Sequence, residues 1–146
     1  MVDPRPTEPL TARRVSPIVR AASLIWRGLV GSPMPLPQPL MQHYPELARA
    51  HWRRGGIFVR IGGWFLGRAT VSGITLGRTV WLAPGVPLAP ELLLHELRHV
   101  HQFAEDRAFP LRYVWGSLRH GYLRNPYEAD ARQFAASRVD GVPPSA

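Results

Sequence analysis

The chain has 146 residues and a mass of 16.4 kDa, the size of one domain and enough to bury a core without covalent staples. It contains no cysteine, which excludes disulfide frameworks, thiolate zinc sites, iron–sulfur clusters and cysteine nucleophiles. The net charge is +8, and all eighteen basic residues are arginines scattered from Arg5 to Arg138, so weak attraction to acidic surfaces is expected but no specific nucleic-acid partner.

Residues 1–40 read as an N-terminal arm, 41–142 as the main domain and 143–146 as a tail. Residues 1–15 are polar and rich in proline, which suits a loose segment. Ile18 to Val30 is apolar but too short to span a bilayer, and Arg20 and Arg27 interrupt it where an export signal would carry no charge. A short amphipathic helix over about 17–30 is expected instead, with Ser16 as N-cap and Pro17 at its first position, and with it a cytoplasmic location. Alternating prolines over 32–39 predict extended, polyproline-like backbone suited to lying across a groove and shielding a cleft. Pro45 opens a second predicted helix, Glu46 to Arg54, closed by Gly55-Gly56.

The middle of the chain reads as a small sheet of about three strands. Ile57 to Ile61 forms the first, Gly62-Gly63 a turn, Ala69 to Leu76 the second with a break at Gly73, and Thr79 to Ala83 the third. Pro84, Pro87 and Pro90 stop any continuation. Short helices, a small sheet and then longer helices make the fold class α+β.

Residues 91–105 carry the chemistry. Leu93, Leu97, Val100 and Ala104 recur at helical spacing and predict a core stripe. His95 and His99 stand one turn apart on an adjoining face, with Glu96 beside them. In this His-Glu-x-x-His arrangement two imidazoles can share one zinc ion, and the glutamate can reach a water on it. A catalytic zinc needs a third protein ligand and an open position. His101 points elsewhere round the helix, which leaves His120, Glu128 and Asp130. Asn125 and Pro126 start a last helix that places Glu128 in its first turn, with Ala131 and Ala135 small enough for close packing on the His95 helix. Glu128 also fits a capping box with Asn125 or an ion pair with Arg132, but the upstream histidines favour a ligand role. Asp130 suits a supporting position, orienting a ligating histidine through its other ring N–H.

His95-Glu96-Leu97-Arg98-His99, followed by Asn125-Pro126-Tyr127-Glu128-Ala129-Asp130-Ala131, resembles the gluzincin branch of zinc metallopeptidases, and most of all its minimal single-domain members, the minigluzincins. The resemblance covers about residues 57–139 and implies a small zincin-like domain in which a sheet precedes the His-Glu-x-x-His helix. It implies zinc bound by His95, His99 and Glu128, with Glu96 as general base. Many gluzincins carry an aspartate four residues after the ligand glutamate, where this chain has Arg132. The family's transition-state donor is a histidine or tyrosine, here Tyr113, His120, Tyr122 or Tyr127. The implied activity is hydrolysis of a peptide or protein substrate, with the strand from Thr79 to Ala83 as the edge that pairs with it. The alternative is a zincin-like module that binds zinc without hydrolysis, as cargo or scaffold. Neither reading specifies the oligomeric state.

Overall fold

The computed structural model describes residues 28–65 and 71–141. The expected arm at 1–15, the tail at 143–146 and all but the last three residues of the expected helix at 17–30 lie outside them; residues 28–30 are helical. Among the described residues the fold is α+β, a four-stranded mixed sheet with helices on both faces.

The first strand, β1 (Ser32–Pro33), pairs antiparallel with β2 (His51–Arg54). Between them lie α1 (Gln38–His43) and a 3-10 helix (Pro45–Arg49). The predicted helix at Glu46 to Arg54 is therefore only a single tight turn followed by a strand. Core burial decides this: Trp52 is almost fully buried, and its indole N–H donates to the Leu47 carbonyl at 2.9 Å. Residues 32–39 are not among those that line the cavity beside Glu96; they form β1, at one end of the sheet, and lead into α1.

A second correction concerns Ile57 to Ile61, which is not a strand but the start of α2 (Ile57–Phe65), with Gly62 inside the helix. Gly55 and Gly56 both have positive φ and turn the chain out of the sheet. The helix then lies on the sheet with Val59 buried and the Phe58 ring tilted against Trp81, 4.7 Å between centroids. A β-branched and aromatic composition gives way here to packing, as it does wherever a short apolar run fits either period. Gly62 permits the close approach, because a Cβ there would come within 2.9 Å of Ile74 Cδ1.

The hairpin β3 (Gly73–Leu76) and β4 (Thr79–Leu82) turns on Gly77, whose φ is 60°, as a two-residue hairpin loop requires. β4 runs parallel to β2, so the order across the sheet is β1-β2-β4-β3. β4 is therefore interior, paired on both sides, and the edge beside the later helices is β3. This corrects the expectation that the strand from Thr79 would offer a free edge.

Val80 and Leu82 face α3 (Pro90–Glu105) and α5 (Pro126–Asp140), while Trp81 faces α2. On α3 the buried stripe is Leu93, Leu94, Leu97 and Val100; Ala104 is exposed. Ala131 and Ala135 are fully buried against α3, the close packing that small side chains permit. Between α3 and α5 the chain makes α4 (Phe109–His120), a helix the sequence reading did not identify. Among the described residues no helix is long and apolar enough to cross a membrane.

Candidate metal centre

His95 and His99 project from α3 toward Glu128 at the start of α5. Asn125 sets that start: its side chain accepts from the Tyr127 N–H at 3.1 Å and donates to the Tyr113 carbonyl and Ser117 hydroxyl of α4. Fully buried, this one residue caps α5 and fastens it to α4. Glu128 does not close a capping box; its carboxylate turns inward.

The three side chains converge. His95 Nε2 and His99 Nε2 are 3.2 Å apart, His95 Nε2 is 3.3 Å from Glu128 Oε2, and His99 Nε2 is 3.1 Å from Glu128 Oε1. Each can offer one ligand atom, all within 4.8 Å of one another. Donors held about 2.0–2.1 Å from a tetrahedral ion stand about 3.3 Å apart, so the spacing fits a small divalent cation. Glu128 Oε2 is buried and makes no hydrogen bond, and Arg132 Nη1 comes only to 3.9 Å of it. A buried carboxylate oxygen without a donor is costly, and a cation would satisfy it. Two imidazoles and one carboxylate form a donor set that suits zinc.

The supporting shell fixes which nitrogen faces the centre. Gln102 Nε2 donates to Asp130 Oδ2 at 2.7 Å and to the Tyr127 carbonyl at 3.1 Å, so its Oε1 must face His99. That oxygen lies 2.8 Å from His99 Nδ1 and accepts its proton, which leaves the Nε2 lone pair free. Asp130 thus supports His99 through Gln102 and not directly; Arg98 Nε donates to the same Asp130 oxygen at 2.6 Å. Gln102 is the residue that sequence reasoning missed, although its place three after His99 on the same helix was a legible signal.

Burial works against the Glu128 charge, but the adjoining imidazoles of His95 and His99 and the Tyr113 hydroxyl outweigh it and hold the carboxyl well below the usual range. The Tyr113 hydroxyl donates to Glu128 Oε1 at 2.6 Å; burial and then the Glu128 charge push this phenol far upward, so it remains a donor. Burial alone would lower His99, but Glu128 and Glu96 raise it.

Glu96 lies outside the three-donor group and is held from β3. It is 5% exposed, and its Oε2 accepts the Thr75 hydroxyl at 2.7 Å. Its Oε1 lies over Gly73, where a Cβ would approach to 2.6 Å, so this position tolerates only glycine while the carboxylate stays in place. Glu96, His99 and Glu128 line a cavity of about 300 Å³ whose other walls are mostly apolar, among them Ile74, Phe103, Phe109 and Val114.

Compared with known protein families, with curated proteins and with solved structures, the chain matched none of them. The structure therefore shows a His95–His99–Glu128 group placed to hold a metal ion, beside Glu96 and an apolar cavity. Of the tyrosines and histidine named as transition-state donors, Tyr113 and Tyr122 line the cavity. Tyr127 does not; its ring packs edge-on against Phe109. His120 sits exposed at the end of α4, away from both the cluster and the cavity, and is neither ligand nor neighbour of the site. His101 packs on Phe134, outside the cluster, as its place on the helix implies.

Proposed function

We propose that this chain is a zinc-dependent peptidase of gluzincin type, with zinc held by His95, His99 and Glu128. The convergence of those three donors beside the separately held carboxylate of Glu96 carries the reading. A bound zinc ion supplies Lewis acidity and lowers the pKa of water toward about 7. Glu96 is the general base. With Oε2 occupied by the Thr75 hydroxyl, Oε1 is the atom that takes a proton from the attacking water and returns it to the leaving amine. Gln102 and Asp130 keep the His99 ring oriented, and Tyr113 holds Glu128 in place.

The substrate is an extended peptide. β3 is the sheet edge beside Glu96, and a strand added there would run past the carboxylate while an apolar side chain enters the cavity.

The test is zinc content together with hydrolysis of a peptide library carrying apolar residues. The expectation is one zinc per chain and turnover that Glu96→Gln lowers by about 10²–10⁴-fold while zinc stays bound. Wild-type hydrolysis that Glu96→Gln leaves intact sinks the mechanism. Zinc binding without any hydrolysis makes the chain a binding module of the same geometry.

A further inference from the structure

The outer face of α4 is inverted for a helix in contact with water. Phe109 and Tyr113 face the domain, whereas Leu111, Trp115 and Leu118 are 77%, 65% and 71% exposed. Their spacing of four and then three residues places them on one stripe. Leu123, in the turn that follows, is also exposed. Arg112 and Arg119, one heptad apart, flank the stripe on the same side; Arg112 also pairs with Asp106 at its N-terminal end. Residues 107–127 contain four arginines and neither aspartate nor glutamate. A continuous apolar stripe on a monomer surface marks a place where something docks.

Charge selects the occupant. Residues 1–27 of this chain contain five arginines against two acids, and a second copy would present the same arginines again, so both bring like charge to this face. An anionic lipid surface brings opposite charge to Arg112 and Arg119, a headgroup layer for the indole of Trp115, and an acyl boundary for the leucines. We propose that α4 seats this protein on an anionic bilayer surface, with Leu111, Trp115 and Leu118 inserted and the arginines among the lipid phosphates. Pro110 and Val114 of the same helix line the cavity, so seating α4 brings the cavity close to the membrane. The proposal does not depend on the metal or on peptide hydrolysis.

The experiment sediments the full chain with vesicles of phosphatidylcholine alone, and with vesicles in which about a third of the lipid is phosphatidylglycerol. Binding is expected to the anionic vesicles and not to the neutral ones, and to weaken as salt rises. Exchanging Leu111, Trp115 and Leu118 together for Gln touches no buried side chain and is expected to weaken binding by roughly a hundredfold. Arg112→Gln with Arg119→Gln is expected to cost about thirtyfold and to remove the preference for phosphatidylglycerol. No binding to anionic vesicles overturns the proposal, as does a triple variant that binds like wild type. A wild-type dimer that the triple variant splits, with no vesicle binding, assigns the face to a second copy and also overturns it.

Discussion

Gln102 separates orientation from ligation at the centre. It touches no position a metal would occupy, yet its Oε1 accepts the His99 Nδ1 proton and its Nε2 is pinned by Asp130 and the Tyr127 carbonyl. Gln102→Leu keeps nearly the same volume and removes all three bonds. His99 is then free to rotate and to exchange tautomers, and zinc affinity is expected to fall by about 10–100-fold. Turnover at saturating zinc should fall far less, because Glu96 is held from β3 and not from this network. Competition with a chromophoric chelator measures the first quantity, and activity under zinc excess the second. Unchanged zinc affinity would show that the Gln102 contact does not orient the ligand.

At the scale of elements, the pieces that carry the donors were legible and those that wall them in were not. The helix at 91–105 follows from its helical periodicity, and the helix opened by Asn125-Pro126 from its cap and its proline, signals that packing reinforces. The sheet was harder. Ile57 to Ile61 has strand composition but folds as α2, because two glycines of positive φ release it from the sheet and Val59 and Phe58 find Trp81. Glu46 to Arg54 has a helical pattern, but pairing of β2 with β4 and burial of Trp52 outweigh it. α4 escaped notice because its apolar positions face outward, although Leu111, Trp115 and Leu118 repeat at helical spacing. What holds the elements together includes one tie across the chain: Arg138, near the end of α5, donates through Nε to Glu46 Oε1 at 2.9 Å. Burial pulls the Glu46 carboxyl upward, but its own backbone N–H and the guanidiniums of Arg138 and Arg49 outweigh that and hold it below its usual value of 4.5. A carboxyl depressed in the folded state stabilises the fold above its unfolded value, and that contribution is lost as pH falls through 4.5 and below. Arg138 is half exposed, so the tie contributes at most about 1 kcal/mol. Glu46→Gln is therefore expected to lower the melting temperature by a few degrees at pH 7 and by less at pH 3. An equal loss at both pH values would mean that the ion pair is not the cause.

For the molecule as a whole, the candidate metal centre joins the helices α3 and α5. His95 and His99 belong to α3, Glu128 begins α5, and Tyr113 of α4 closes the ring by its bond to Glu128. Without an ion, Glu128 keeps a buried oxygen with no hydrogen bond at this junction. A ligand that binds only the folded state stabilises it by an amount that grows with its concentration, about 4 kcal/mol at a thousand times the dissociation constant. For a domain of this length that corresponds to roughly 10 °C in melting temperature. Adding zinc to chelator-treated protein is thus expected to raise the melting temperature by about that amount, and excess chelator to reverse it. His99→Ala should melt at nearly the same temperature with zinc or with chelator, because one of three ligands is gone. Glu96→Gln should keep the full zinc shift, since Glu96 lies on the β3 side of α3 and ligates nothing in this arrangement. Scanning calorimetry of the three proteins, each with zinc and with chelator, separates these outcomes. A wild type whose melting temperature ignores zinc, or a His99→Ala protein that retains the shift, would remove His99 and its partners from the role of a metal centre.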